Sequence, residues 1–533
     1  MGLDRLNRRD VLKLIAGGVG ASALGAQPGP AVAQTVRIRQ NLATAPATLI
    51  ASFRKGVAAM QARPVSNPRS WQYWANVHGT PSPQNAAGTW KQCQHGSFFF
   101  LPWHRMYLFY FEKVLRAASG DPNFTLPYWR WTSQRAIPLP FRSPANATNK
   151  LFVASPNRGT GINAGGLLPS TDVSVSTAFS FTNFTAPSGD LSFGGRTVSG
   201  FVHFGAQHGQ FEASPHDVIH DDIGDGGWMS DPDQAARDPV FYVHHCNIDR
   251  LWKHWLALGG GRVNPTGNAA WMNQTFRFFD HDANAVVDVP VRNFLDTTTQ
   301  LHYRYDDDPV PAAAFAAAPG PAPAAIAAVA PEHGDRPAAA TSPAAESASP
   351  APEAEPLATS SQVIRLGQER VSAPLVLAPE QSDRLRNLIP GVGGTAPAGP
   401  SATPQAARSG RIILRLSGID FDRPPGKPYQ VYVNLPEGQD PDPHSIYFAG
   451  VLGFFGLSAA QHDPGHSGGQ RPGGVRLFDI TDLVARQTAA GVWTGDQPSV
   501  TFVLSGVPEP GGTLRANPQA NARIGKVEIL RQQ

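Results

Sequence analysis

The chemistry of this chain is concentrated in its histidines. His95 and His104 stand nine residues apart in CQHGSFFFLPWHRMYLFYFE (93–112), an aromatic run too apolar to lie in water without cost. A buried imidazole needs a hydrogen-bond partner or a metal. His216 and His220 differ by four, which stacks them on one helix face and lets both address one ion. His244 and His245 sit in DPVFYVHHCNIDRLWKHW, and His78 ends the aromatic segment WQYWANVH. The count becomes three plus three. A di-iron bundle would show inward Glu and Glu-x-x-His motifs, and many zinc enzymes show His-Glu-x-x-His; neither pattern is present. Nearly pure imidazole suits copper, with zinc open on chemistry alone.

Helices must position these rings. From Trp103 onward, Tyr107, Leu108, Phe111 and Leu115 repeat at helical spacing, placing His104 in a first turn and His95 in the preceding loop. Ser214-Pro215 reads as an N-cap and first helical residue, with Asp217 three after the cap. Asp238-Pro239 opens the next helix, which Gly259-Gly260-Gly261 stops.

His95 through Phe100, Trp103-His104-Arg105 and Glu112 resemble the first copper signature of the tyrosinase and polyphenol oxidase family. Asp238-Pro239-x-Phe241-Tyr242-x-x-His245-x-x-x-Asp249 resembles the second. The resemblance implies two copper ions, one held by His78, His95 and His104 and the other by His216, His220 and His245, with His244 as a neighbour. It implies a water-holding Glu212, and Asp217 where strong hydroxylases often carry Asn; an Asp accepts a hydrogen bond from that water but cannot donate one. It puts Asp221 at the pocket entrance and a gate near Pro232, and it makes Cys93 a candidate for a thioether to the His95 ring. Cys246 reads as inert core, and His203 and His208 have no motif support.

Around these motifs the chain divides into four parts. Residues 1–33 carry Asn7-Arg8-Arg9, a mildly apolar run and Ala31-Val32-Ala33, a twin-arginine leader that predicts a periplasmic or secreted protein. Residues 34–308 form the expected catalytic domain, mainly α, a helical bundle around the dicopper centre; LHYRYDDD (301–308) resembles the family's closing Tyr-x-Tyr motif. Residues 309–361 are Ala/Pro-rich and read as a flexible linker. Residues 362–533 contain strand candidates, VRLFDITDLVA among them, and predict an all-β sandwich or barrel. That part resembles the C-terminal shielding domain of plant polyphenol oxidases, and the loop at Phe454-Phe455 is the candidate for entering the pocket.

A net charge of +3 gives no support for a nucleic-acid partner, and no stretch of the mature chain is long and apolar enough to span a membrane. Two cysteines exclude a disulfide framework. The family resemblance implies dioxygen and phenolic small molecules as partners. Catechols would be oxidised to o-quinones and monophenols hydroxylated at the ortho position, the ground for a link to melanin-type pigments. The alternatives are an o-aminophenol oxidase and a haemocyanin-like oxygen carrier.

Overall fold

The computed structural model of the chain describes residues 35–308, 354–360, 362–377, 381, 410–457, 473–493 and 497–532. The expected leader and the linker up to residue 353 lie outside the described residues. Among those residues, no helix is long and apolar enough to cross a membrane.

Five helices organise the first region: α1 (Ala47–Gln61), α2 (Trp71–His78), α3 (Phe100–Ser119), α4 (Asp217–Gly224) and α5 (Val240–Ala257). Ser70 caps α2 through the Tyr73 amide, and α3 ends at the left-handed Gly120. Helix α1 comes so close to α3 that a Cβ on Gly56 would lie 2.7 Å from Leu115. At the start of α5, Asp238 accepts from the Val240 amide at 2.9 Å, as expected of a cap. At α4 the expected cap differs: Ser214 is extended, regular α-helix begins only at Asp217, and the Asp217 carboxylate serves two histidines and an arginine.

Buried charges register these helices. Arg105 Nε lies 2.5 Å from Asp249 Oδ1, and the hydroxyls of Tyr303 and Tyr305 each donate to Asp249 Oδ2 at 2.6 Å. Arg39 reaches Glu112 at 2.9 Å and Asp249 at 3.4 Å. Burial pushes the Asp249 carboxyl up, but Arg105 and Arg39 more than reverse this and hold it below its usual range. The strands Arg37–Arg39 and Tyr303–Tyr305, which pair in parallel, carry Arg39 and both tyrosines into this cluster.

The second region is a β-sandwich. One sheet runs Phe448–Leu452, Tyr429–Val433, Ser499–Leu504, Val371–Pro374; the other runs Gly474–Asp479, Arg411–Ile419, Lys526–Gln532, Ala354–Thr359, Val376–Leu377. Neighbouring strands are antiparallel. Leu414, Leu416, Val527 and Ile529 meet Val431, Val433, Val500 and Phe502 in one apolar core. Two expectations shift here. Ala354–Thr359, placed in the linker, is a strand paired with Lys526–Gln532. VRLFDITDLVA becomes strand Gly474–Asp479 followed by a helix, α6 (Thr481–Ala489), because Asp479 caps the turn through the Thr481 amide.

The two regions pack as one compact unit. Val475 donates to the Ala206 carbonyl at 2.7 Å, Gln532 to Gly189 at 2.8 Å, and Lys427 pairs with Asp225 at 3.0 Å.

Candidate metal centre

The six candidate histidines are all buried and come together from α2, the loop before α3, α3, the turn entering α4, α4 itself and α5. Ring centroids within the first three, His78, His95 and His104, are 5.3–5.6 Å apart. Within the second three, His216, His220 and His245, they are 4.5–5.5 Å apart. The two sets meet where His104 stacks on His245 at 4.4 Å.

Five of the rings are oriented through Nδ1. His78 donates to the Pro232 carbonyl (2.8 Å), His104 to Phe100 (2.8 Å) and His220 to Met229 (2.8 Å). His95 faces Glu212 at 3.0 Å and His216 faces Asp217 at 2.9 Å. This fixes the tautomer and leaves each Nε2 with an in-plane lone pair. In the first set all three Nε2 atoms are buried without a partner. In the second, His245 Nε2 lies 3.4 Å from His216 Nε2 and 3.3 Å from His220 Nε2. Converging lone pairs repel unless a cation sits between them, and an ion about 2 Å from each imidazole nitrogen fits such a spacing. Burial holds all six rings well below the ordinary histidine range, in the neutral form a metal needs. The donor set therefore fits two soft-to-borderline ions, each with three imidazoles. His244 belongs to the same cluster and both its ring nitrogens lack partners, but it is His245 whose Nε2 meets the other two.

The other candidate residues stand around these rings. Glu212 accepts from the Gly96 amide and His95, and burial raises its carboxyl to about 8, with His208 opposing the rise and Asp217 adding to it. Asp217 contacts three groups: His216, His208 Nδ1 at 2.7 Å, and Arg476 of the sandwich at 2.5 Å. Asp221, expected at a pocket mouth, is 1% exposed and accepts from the Phe454 amide at 2.6 Å. Burial lifts its carboxyl to about 8. Its neighbour Asp222 faces Asp172, and burial raises both. Pro232, expected as a gate, presents its carbonyl to His78 in the first cluster. Cys93 Sγ lies 3.3 Å from His203 Nδ1 and within 4.8 Å of the nearest ring nitrogens of His78 and His95. Cys246 is buried, and burial pushes its thiol well up.

Phe455 enters the centre. Its ring stacks on His220 at 3.8 Å and 18°, with the His95 and His216 rings 5.4 and 5.5 Å away. Gly453 and Gly456 flank it: added Cβ atoms would meet the α4 backbone at 3.0 Å and His208 at 3.0 Å. Two contributors, Arg476 and Arg158, carry no signal in the sequence, and His208, which has no motif support, bonds Asp217. Arg158 pairs with Asp238 and anchors the start of α5.

Comparison with known proteins agrees with this geometry. The family described as the common central domain of tyrosinase matches residues 68–192 and 174–258, and the polyphenol oxidase middle domain matches 266–317. A domain of unknown function matches 353–532, taking in the strand at Ala354–Thr359. Tyrosinase HcTyr1 of Hahella sp. (strain CCB-MM4) is 31% identical over 509 residues, 88% of this chain and 95% of that protein. The chloroplastic polyphenol oxidase of Malus domestica is 27% identical over 507 residues, 82% of this chain and 79% of that one. The fold is shared with the structure of latent apple tyrosinase (TM-score 0.58, 23% identity, 94% of this chain and 98% of that one). With six neutral imidazoles arranged three against three and a relative matched almost end to end, the chain belongs to the tyrosinase and polyphenol oxidase family of type-3 copper oxidases.

Proposed function

We propose that this protein uses dioxygen to oxidise o-diphenols to o-quinones and to hydroxylate monophenols at the ortho position, and that its C-terminal domain keeps it latent. The observation that carries this is the pair of converging imidazole sets with Phe455 seated against both. In this reading His78, His95 and His104 hold one copper ion and His216, His220 and His245 the other. Bound copper would supply the redox chemistry with dioxygen.

The protein's own contribution is orientation and dryness. The Nδ1 hydrogen bonds fix five of the rings, and Phe100, Phe241 and Trp103 pack against them to exclude water. Glu212 lies against the His95 ring and is the proposed acceptor for the phenolic proton, through a water it would hold, while Asp217 holds the His216 ring through its Nδ1. The buried Cys93 thiol, beside His203 and close to the His95 ring, is the proposed thioether partner of that ring, which a cross-linked peptide in a digest would reveal. Export through the twin-arginine leader is part of the same proposal.

Metal analysis of the purified chain tests it, with two copper ions per chain expected. Cleavage within 309–353 should raise the catechol rate once the fragments separate. His104→Ala should lose catechol and tyramine turnover together. One copper per chain, or zinc in its place with full activity, refutes the reading. Faster turnover of o-aminophenol than of catechol would favour the aminophenol oxidase, and reversible oxygen binding without turnover would favour a carrier.

A further inference from the structure

We propose that Asp217 selects the substrate, favouring phenols whose side chain bears a positive charge, and that the C-terminal domain closes the site as a copy of such a substrate. Phe455 takes the place of the ring and Arg476 the place of the cation. This inference rests on the phenol-oxidase reading above.

The ring position is fixed by contact. Phe455 lies at 3.8 Å on His220 and within 5.5 Å of His216 and His95, the region an aromatic substrate must reach to approach both sets. The cation position lies one residue along. Asp217 Oδ1 holds the His216 ring at 2.9 Å, while Oδ2 meets Arg476 Nη2 at 2.5 Å.

A buried guanidinium is costly unless it is paired. Arg476 is 3% exposed, and the carboxyls acting on it are Asp217, Glu212 and Asp221, all on the metal side of the interface. Lys427 reaches the same helix's end at Asp225. The sandwich thus meets an acidic face with cations and the imidazole cluster with a benzyl group. When the sandwich withdraws, Asp217 keeps the His216 and His208 contacts but gives up its guanidinium partner. An ammonium carried on a phenol's side chain restores that pair, whereas a carboxylate there meets like charge.

The test uses the copper-loaded full chain and three ring ligands without a phenolic hydroxyl: phenethylamine, 2-phenylethanol and 3-phenylpropionate. Binding is measured by calorimetry, so turnover is not needed. Phe455→Ala opens the ring position but leaves Arg476 on Asp217, and it should bind the alcohol and the carboxylate ahead of the amine. Adding Arg476→Met should reverse the order, with the amine preferred over the alcohol by about fivefold at low salt. Arg476→Gln serves if the methionine variant does not fold, and Arg476→Lys should keep the Phe455→Ala order. Adding Asp217→Asn to the Arg476→Met background should erase the amine's preference over the alcohol, the two ligands being compared on the same protein at the same copper content. The same ligand order with and without Arg476, or a preference that survives Asp217→Asn, overturns the proposal. A failure of the phenol-oxidase reading would show separately, as no catechol oxidation by any variant while the binding order holds.

Discussion

Replacing Gly453 by alanine should unseat the loop that fills the metal centre. A Cβ there would lie 3.0 Å from the Val218 amide nitrogen and 3.2 Å from the Asp217 carbonyl carbon and Cβ. Those atoms belong to α4, which carries His220 and is buried throughout, so they cannot yield as a flexible side chain would. Overpacking of this kind costs about 1–3 kcal/mol. Set against a closed–open equilibrium, that is roughly a 5- to 150-fold shift toward the open form. Gly367→Ala is the control, because no atom lies within 4 Å of the added carbon and the residue belongs to the same domain. The assay is the catechol rate of the intact chain divided by its rate after cleavage in 309–353. Gly453→Ala should bring this ratio toward one, and Gly367→Ala should leave it at the wild-type value. Equal ratios for the two variants, with equal thermal midpoints, would show that the loop is not seated against α4.

Asp221→Ala removes the acceptor for the Phe454 amide and should weaken closure by about 1–3 kcal/mol, read as the same rate ratio. Arg105→Ala leaves Asp249 buried beside two tyrosines without its closest cation, and chemical denaturation should register a loss of about 3–5 kcal/mol. The depressed carboxyls of Asp249 and Glu112 stabilise the fold above their unfolded range near pH 4 and lose that contribution as pH falls below it. Acid titration of the thermal midpoint should therefore fall more gently in Asp249→Asn than in the wild type. Truncating Phe455 to alanine should raise the catechol rate of the intact chain, and an unchanged rate would mean that its ring does not block access.

The histidine clusters stand out in the sequence because helical spacing and aromatic neighbours are local signals, while the choice of six, with His245 rather than His244, comes from the resemblance of the motifs. Legible too were Arg105, Glu112, Asp249 and the two tyrosines, whose fixed places in the motifs correspond to one buried ion cluster. The residues that escaped act over long separations. Arg476 meets Asp217 from 259 positions away, and Arg158 meets Asp238 from 80. Asp221, which the resemblance puts at the pocket entrance, is covered by the sandwich and accepts the Phe454 amide, a contact no local signal announces. Pro232 sits in a loop of no regular spacing, and its carbonyl on His78 is a contact that only the fold reveals. The strand at Ala354–Thr359 was hidden by its Ala/Pro composition and exists through pairing with Lys526–Gln532.

The parallel pairing of Arg37–Arg39 with Tyr303–Tyr305 sets a sharp margin for any proteolytic trimming of the chain. Both ends of the catalytic region are stitched into the charge cluster that holds α3 against α5, so the region's own termini work as its fastener. A protease cutting after Asp308 spares every stitch. One cutting before Tyr303 strips Asp249 of both hydroxyl donors and lets the helix bearing His245 slip. A mature enzyme of this kind can therefore vary widely in where its tail is trimmed on one side of that line, and hardly at all on the other.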